Sequence, residues 1–256
     1  MPALSADVWF CFTEALTDVH LAAARAVLSR DERNRCDRLA SDRDRRSFPA
    51  AHALLRSALT FRHGLRSPDS WEFETGSHGK PSLARGQSDL AFNLTHSDRL
   101  VACALGGVES LGIDVESVER RVDAEHIARR YFSQNEIFAL AQFSGPERHT
   151  RFIEMWTLKE AFLKATGAGL AAPLNTFGFE LHGTSGLQFS PPDDTTAAEW
   201  HFALFAPSPA HRLAVAARSG PCVDFKVRPW SFTAEDEVVE SPEVTAAPLV
   251  PLRVSP

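Results

Sequence analysis

Cysteine is scarce in this sequence, and long apolar runs are absent. The four cysteines, Cys11, Cys36, Cys103 and Cys222, are scattered over 256 residues and form no CxxC pair. Their spacing argues against a zinc site or a disulfide framework and is typical of small, partly buried apolar residues. No run approaches the roughly 18 apolar residues of a membrane span. Residues 1–14 also lack the features of a signal peptide, so we expect a cytoplasmic protein without a membrane partner.

An excess of positive charge is absent as well. The formal net charge is −6 at pH 7, which argues against a general nucleic-acid binder. Residues 30–46 (RDERNRCDRLASDRDRR) depart from this average because they are rich in arginine. Two interpretations stay open for this segment: a solvated helix face, or an anion site in which arginines bind phosphate.

The residues that are present indicate a folded chain with both helices and strands. Hydrophobic residues make up 44% of it, enough to bury a core. Apolar residues at three- and four-residue spacing predict helices over residues 18–40, 48–62 and 150–166. Apolar stretches bounded by turn residues predict strands over residues 71–74, 90–94, 99–105 and 111–116, with a turn at 76–79.

The second half of the sequence repeats features of the first. DRLVACALGG (98–107) and HRLAVAARSG (211–220) share an arginine-leucine start, a small-apolar strand and a glycine end. This similarity predicts an internal duplication, with residues 1–110 as one half and residues 111–232 as the other. Residues 233–256 are acidic and then proline-rich, and we expect this tail to lack stable structure of its own.

The run LGIDVE (111–116) carries two acidic residues on one predicted strand. Asp114 and Glu116 point to the same face, about 7 Å apart along the strand. Two carboxylates in this arrangement can share one hard cation. An ordinary polar strand face is the alternative interpretation.

The run WTLKEAFLKATGAGL (156–170) places three chemically distinct side chains on one stripe of a helix. Trp156, Glu160 and Lys164 follow each other at four-residue steps. The stripe is either a surface glutamate–lysine pair or, as the tryptophan favours, a packed face. A partly buried Glu160 would need a cation nearby.

Two further segments present polar side chains on turns. FNLTHS (92–97) ends a predicted strand with His96, which is more often a structural hydrogen-bond partner than a catalyst. GKPSL (79–83) holds Lys80 between a glycine and Pro81, which alone is ordinary loop chemistry. Together with the carboxylates and the arginine-rich segment, these groups suit a magnesium-bound pyrophosphate.

In their order along the chain, these segments resemble the 4′-phosphopantetheinyl transferase family, in its broad-specificity Sfp-type branch. The matching stretches are GKP (79–81), FNLTHS (92–97), LGIDVE (111–116), YFSQNE (131–136) and WTLKEAFLKATGAGL (156–170). The resemblance implies an α+β fold of two similar halves packed as an intramolecular pseudo-dimer, with coenzyme A in the cleft between them. It also implies a magnesium ion held by Asp114, Glu116 and Glu160.

The resemblance further implies which residues contact coenzyme A. Lys164 matches the lysine near the bridging phosphates, and Arg46 falls where the family binds the 3′-phosphate, with Arg35 as an assisting residue. The other matching contacts are Lys80, Pro81, Thr95 and His96. Two positions depart from the family pattern: Thr95 replaces a serine but keeps its hydroxyl, and His52 replaces an arginine.

The activity implied is transfer of the 4′-phosphopantetheine arm of coenzyme A to a serine of an apo acyl or peptidyl carrier protein, with release of 3′,5′-ADP. Asp114, Glu160 and Lys164 are the expected catalytic residues: Glu160, directly or through a water, accepts the serine proton, and Lys164 stabilises the leaving phosphate. A monomer serving nonribosomal peptide or polyketide biosynthesis is expected. The alternatives are a metal-dependent hydrolase of coenzyme A or a related pyrophosphate, and a binding module without activity.

Overall fold

A computed structural model describes residues 4–75, 79–169, 172–182, 186–192, 195–220, 222–231, 239–240 and 247–250. The helices in these ranges are α1 (Asp18–Ala26), α2 (Arg30–Asp37), α3 (Asp42–His63), α4 (Ala124–Tyr131), α5 (Gln134–Ala141) and α6 (Gly145–Thr166). The first strands are β1 (Leu4–Phe12), β2 (Phe73–Thr75), β3 (Pro81–Leu83), β4 (Ala91–Ser97), β5 (Leu100–Gly106) and β6 (Ser110–Ser117). The remaining strands are β7 (Gly178–Leu181), β8 (Leu187–Ser190), β9 (Trp200–Ser208), β10 (His211–Arg218), β11 (Val223–Ser231), β12 (Val239–Glu240) and β13 (Ala247–Val250).

Two main sheets organise the strands. The first has the order β12-β11-β1-β5-β4, and the second has the order β13-β9-β10-β6. In the first sheet, β1 runs antiparallel to β5 and parallel to β11, so the start and a late part of the chain lie side by side. Two short hairpins, β2–β3 and β7–β8, complete the described strands.

Each main sheet is covered by one long helix, and the two sheets pack on each other. Leu54 and Leu59 of α3 share a buried cluster with Trp9 of β1. Phe162 of α6 lies in a separate buried cluster with Phe202 of β9. Most residues between the sheets are small or branched and come from β1, β5, β6 and β10, among them Val8, Ala102, Ile113, Val115 and Val215. Because β1 is covered on both faces, Val8 and Trp9 are both buried.

The sequence predicted the kinds of element well and their boundaries less well. The helix predicted over residues 18–40 is wrong as one element, because Ser29 interrupts it and caps α2 by accepting a hydrogen bond from the Glu32 amide. The helix predicted over residues 48–62 begins earlier, at Asp42, and continues through Pro49 before ending at Gly64 in the left-handed region. The third predicted helix likewise begins earlier, since α6 starts at Gly145.

The strands predicted over residues 90–94, 99–105 and 111–116 are confirmed as β4, β5 and β6. Strands β4 and β5 pair antiparallel, and their tight turn places Asp98 at φ 49°. The predicted turn at 76–79 lies largely outside the described residues. So does most of the tail predicted at 233–256, within which the structure describes only β12 and β13. The division into halves at residues 110 and 111 stays a prediction.

In the described ranges, no helix combines the length and the apolar character that crossing a bilayer requires.

Candidate functional site

The site forms where β6 packs directly on α6. A Cβ added to Gly112 would lie 2.1 Å from the carbonyl oxygen of Ala161 and 2.3 Å from the amide nitrogen of Ala165, both on α6. Real Cβ atoms do not approach backbone this closely, so the contact depends on glycine. Because β6 and α6 approach so closely, the side chain of Asp114, two residues after Gly112, reaches the side chain of Lys164.

Asp114 is buried and bonded on one of its two carboxylate oxygens. Its Oδ1 accepts hydrogen bonds from Lys164 Nζ at 2.7 Å and from Thr95 Oγ1 at 3.2 Å. The Lys164 ammonium also donates to Thr95 Oγ1, at 3.0 Å, so the three groups form a closed network. The second oxygen, Asp114 Oδ2, is buried without a hydrogen-bond partner among the described residues. A buried carboxylate oxygen in this state is costly unless a cation or a donor joins it.

Glu116 lies two residues further along β6 and has different partners. Its Oε2 accepts a hydrogen bond from Ser97 Oγ at 3.3 Å, and its Oε1 pairs with the guanidinium of Arg120. Burial, and then the negative charge of Asp114, raise the pKa of Glu116 above its ordinary value. The two carboxylates of the strand therefore repel each other, as a shared face requires.

Glu160 adds a third acidic group from α6. Burial, and then the charge of Asp114, raise its pKa from 4.5 to about 7, while the nearby Lys164 ammonium acts in the opposite direction. The charge of Glu116 also contributes to the increase. Glu160 can therefore exchange a proton near neutral pH, which is uncommon for a carboxyl group.

The predicted stripe on α6 is confirmed as a packed face rather than an open surface. Trp156, Glu160 and Lys164 are all half-buried. The Trp156 ring stacks near Phe132 and Phe152, with centroid distances of 6.5 and 6.2 Å. The tryptophan thus anchors the helix face that carries the two charged residues.

Two clefts adjoin these residues. The larger cleft has a volume of about 680 Å³, and its lining residues include Arg43, Asp44, His96, Ser97, Glu116 and Arg120. The smaller cleft has a volume of about 250 Å³, and its lining residues include Lys80, Pro81, Asn93, Glu160, Lys164 and Gly167. Asp114 lies between the two clefts. Glu116, two residues further along β6, lines the larger cleft, and Lys164, which pairs with Asp114, lines the smaller one.

The acidic residues fit a cation, although their present arrangement is not that of a metal-bound site. Within the described ranges, no three His, Cys, Asp or Glu side chains are close enough together to hold a metal ion. The basic groups of Lys164 and Arg120 lie against the strand carboxylates instead. Two observations nevertheless favour a cation here: the unpartnered Asp114 Oδ2 and the raised pKa values of Glu116 and Glu160. Both reflect negative charge that the protein does not fully compensate.

Not every residue expected to contact coenzyme A lies at these clefts. His96 lines the larger cleft and is exposed, and Lys80, Pro81 and Lys164 line the smaller one. Thr95 lines neither cleft and is buried behind Lys164, whose ammonium donates to its hydroxyl. The guanidinium of Arg46 instead donates to the carbonyl oxygens of Thr13 and Leu16, at the end of β1.

Arg35 and His52 lie together, because both side chains contact the Phe48 ring. The Arg35 guanidinium lies over the Phe48 ring, 5.4 Å from its centroid. His52 Nδ1 is 2.8 Å from Glu32 Oε1, which gives the histidine a partner inside the protein.

Sequence reasoning missed two arginines that line the larger cleft. Arg43 stands three residues before Arg46 and donates from Nε to the carbonyl oxygen of Asp98 at 2.8 Å. Arg120 follows β6 and reaches back to Glu116. The arginine-rich run contained the first signal, but periodicity could not tell which arginine of the run faces the cleft.

Comparisons with known proteins identify the family to which the chain is similar. A family model described as the 4′-phosphopantetheinyl transferase superfamily matches residues 110–217. The 4′-phosphopantetheinyl transferase HetI of Nostoc sp. is 38% identical over 148 residues, which cover 57% of this chain and 62% of HetI. The chain thus spans about three fifths of that relative's length. The 4′-phosphopantetheinyl transferase Sfp of Bacillus subtilis is 30% identical over 192 residues, which cover 75% of this chain and 83% of Sfp.

A solved structure is also similar in part. The holo-[acyl-carrier-protein] synthase of Thermotoga maritima matches 44% of this chain and 64% of its own length, with 26% identity and a TM-score of 0.36. A likeness this partial carries no argument about the fold. The sequence relatives confirm the predicted family, and the helices and sheets described above confirm the predicted α+β class. The chain belongs to the 4′-phosphopantetheinyl transferase family.

Proposed function

We propose that this protein transfers the 4′-phosphopantetheine arm of coenzyme A to a serine of an apo acyl or peptidyl carrier protein. The observation that carries the proposal is the hydrogen-bonded network of Asp114, Thr95 and Lys164 beside Glu160. Lys164 and Glu160 offer one cleft a cation and a carboxyl group of raised pKa, and the Thr95 hydroxyl lies 3.0 Å from the Lys164 ammonium. These are the groups that phosphoryl transfer to an alcohol requires.

The residues that would hold a magnesium ion are Asp114, Glu116 and Glu160. Their oxygens are the hard ligands that Mg²⁺ prefers, and water or substrate phosphate would complete the coordination. When bound, the ion supplies positive charge that neutralises the pyrophosphate during transfer. Its entry would relieve the repulsion that raises the pKa values of Glu116 and Glu160.

The chain's own residues act on the substrate and its proton. The hydroxyl of the carrier serine attacks the β-phosphorus of coenzyme A, the bond to the bridging oxygen breaks, and 3′,5′-ADP leaves. Glu160, which lines the smaller cleft together with Lys164, accepts the serine proton. Lys164 stabilises the charge that develops on the leaving phosphate. Thr95 orients the Lys164 ammonium through its 3.0 Å hydrogen bond.

The larger cleft would hold the nucleotide part of coenzyme A. Arg43, Arg120 and His96 line it, and arginine guanidinium groups bind phosphate with two parallel hydrogen bonds. Its volume of about 680 Å³ lies in the range of ligand sites. Arg46, which is bonded to backbone carbonyls, would have to exchange these partners to reach a 3′-phosphate. We further propose a cytoplasmic monomer that serves biosynthetic carrier domains.

A panel of apo carrier proteins tests the proposed function directly. Each is incubated with the purified protein, coenzyme A and Mg²⁺, and intact mass reports the gain of one phosphopantetheine arm on the serine. A control reaction without carrier protein reports hydrolysis, because a hydrolase would release 3′,5′-ADP from coenzyme A alone. Release of 3′,5′-ADP without a carrier, together with no mass gain on any carrier, would overturn the proposal.

A further inference from the structure

Lys80 precedes β3, and its ammonium reaches the end of α6. Its Nζ donates to three backbone carbonyl oxygens: Leu111 at 3.0 Å, Lys164 at 2.7 Å and Ala165 at 3.0 Å. An ammonium group has three N–H donors and accepts no hydrogen bond. All of its donors are therefore engaged within the protein, and none is left for a phosphate.

The three acceptors belong to the two elements that build the site. Leu111 lies on β6, three residues before Asp114, and the other two carbonyls belong to the last turn of α6. The last four carbonyls of a helix have no partner within the helix, and a positive charge at this end interacts favourably with the helix dipole. The Ser110 hydroxyl, from the first residue of β6, also donates to the carbonyl oxygen of Ala165.

We propose that Lys80 is a positioning residue for the transfer reaction. It clamps the end of α6 to β6 and thereby fixes Lys164 and Glu160 relative to Asp114. It does not supply its charge to coenzyme A. The proposal rests on the proposed function for the reaction that is positioned, but the clamp itself is a property of the fold.

A split between kcat and KM tests this role. A displacement of catalytic groups by about 1 Å can cost up to ~100-fold in rate. Lys80→Met should therefore lower kcat by about tenfold or more and change the KM for coenzyme A by less than about threefold. A direct contact with the coenzyme predicts the reverse, an increased KM with an unchanged kcat, and that result would overturn the proposal. Lys226→Met, at an exposed lysine of β11, is the matched control.

A double-mutant cycle tests whether Lys80 acts through α6. In a Lys164→Ala background, Lys80→Met should lower kcat by a clearly smaller factor than in wild type, because one of the two groups that it positions is already gone. A loss of stability alone would reduce activity by the same factor in both backgrounds. An undiminished effect in the double variant would therefore refute the positioning role.

Hydrogen exchange provides a readout that needs no activity. Lys80→Met should speed exchange of the backbone amides at residues 163–167, while calorimetry shows coenzyme A affinity within about threefold of wild type. Unchanged exchange at this helix end would refute the clamp, whatever the activity. If wild type modifies no carrier but the exchange effect is present, the proposed function fails and the clamp stands.

If Lys80→Met does not fold, Ser110→Ala tests the same contact between β6 and α6, because Ser110 and Lys80 both donate to the carbonyl oxygen of Ala165. Ser110 donates to Ala165 but lines neither cleft, so its loss cannot remove a coenzyme contact. The variant should lower kcat in the same direction as Lys80→Met, by a smaller factor, with the KM for coenzyme A unchanged. Wild-type kcat and wild-type exchange in Ser110→Ala would contradict the proposal.

Discussion

At the scale of single residues, the acidic groups of the site differ in how their charge is compensated. Asp114 has the Lys164 ammonium, and Glu116 has the Arg120 guanidinium. The side-chain carboxyl group of Glu160 accepts no hydrogen bond from the described residues, and its pKa increases to about 7. The carboxyl group with the least compensation is thus the one to which the proposed transfer assigns the serine proton.

Glu160→Gln should lower transfer by about 100-fold or more, because it removes both the proton acceptor and a candidate metal ligand. The fold should persist, since the amide occupies nearly the same volume without a charge. Intact mass of an apo carrier protein measures the loss, and circular dichroism checks folding. Glu147→Gln, at an exposed position in the first turn of the same helix, is the control. Full activity in Glu160→Gln would exclude this residue from both roles.

A second acidic residue, Glu32, is stabilised in its charged form. Its carboxylate accepts hydrogen bonds from the Ser29 amide and Arg56, at 2.7 Å each, and lies 2.8 Å from His52 Nδ1. Burial alone would raise its pKa, but the hydrogen bond and charge of His52, the Ser29 amide and the charge of Arg56 lower it from 4.5 to about 2. A depressed pKa means that the folded state gains stability from the ionised group.

Glu32→Gln should therefore destabilise the protein by about 2 kcal/mol at pH 7. The contribution is present above pH 4.5 and is lost as the pH falls through about 2. The difference between variant and wild type should shrink over that interval in urea unfolding experiments. A difference that stays constant down to pH 2 would show that the charge of Glu32 is not its source. Glu125→Gln, which removes an exposed ion pair with Arg129, should change stability very little.

The sequence could predict candidate residues for the site but not their partners. Glu160 and Lys164 were predictable because helical spacing places them on one face. The contact of Lys164 with Asp114 joins residues 50 positions apart and depends on how α6 packs on β6. No local pattern contains such a contact, and the same holds for the carbonyl partners of Lys80.

At the scale of elements, the β6–α6 contact decides the geometry of the site. Gly112→Ala should destabilise the protein by about 3 kcal/mol, because the added methyl group meets helix backbone that cannot move aside. Thermal unfolding measures the effect. Gly107→Ala is the control, since a Cβ at that position would have no atom within 4 Å. Wild-type stability in Gly112→Ala would mean that α6 can shift outward freely, so that the close packing of β6 on α6 does not decide the geometry of the site.

A buried ion pair joins α5 to α6 at their core-facing sides. Lys159 Nζ lies 2.9 Å from Glu136 Oε2, and both side chains have 0% exposure. Burial lowers the pKa of Lys159 and raises that of Glu136, so each needs the other to stay charged. The ammonium also donates to the carbonyl oxygens of Leu174 and Phe177, which ties the loop after α6 to the helix.

Lys159→Met should therefore cost about 3–5 kcal/mol, because it leaves the Glu136 carboxylate buried without a counter-charge. Adding Glu136→Gln to Lys159→Met should restore part of that loss, since the unpaired charge is then removed as well. Urea unfolding of the two single variants and the double variant measures the coupling. Strictly additive losses would show that the two residues do not act as a pair.

Helix boundaries show where sequence reasoning reached its limit. A continuous apolar spacing over residues 18–40 concealed the break at Ser29, whose side chain caps α2. A capping serine is a local signal, but serine is also tolerated inside helices, so only the fold decides between the two uses. The early start of α3 depends on a similar cap at Ser41, ahead of the proline at position 49.

At the scale of the whole molecule, a strand from the second half completes the first sheet. β11 pairs parallel with β1 from Leu4–Val223 to Phe10–Pro229, and Trp230 joins the core under α3. The predicted second half therefore contributes a strand to the sheet of the first, which a division of the chain at residue 110 does not show. Apolar repeats indicated two similar units, but pairing between distant strands leaves no periodic signal.

Deletion of residues 223–256 should abolish cooperative unfolding, because β1 loses its parallel neighbour and the first core loses Trp230. Deletion of residues 232–256 is the control, since it keeps β11. Thermal unfolding followed by circular dichroism distinguishes the two. If the chain that lacks residues 223–256 still unfolds cooperatively near the wild-type temperature, the parallel pairing is dispensable.

The position of β1 also has a consequence for how the protein is made. Its first partner, β5, emerges from the ribosome early, but β11 is synthesised about 220 residues after β1. At roughly 5–20 residues per second, one edge of β1 waits about 10–45 s for its neighbour. During that time an apolar strand edge is open to pairing with other nascent chains. Slower translation of the last third of the message should therefore increase aggregation during expression, even though the finished enzyme is unchanged.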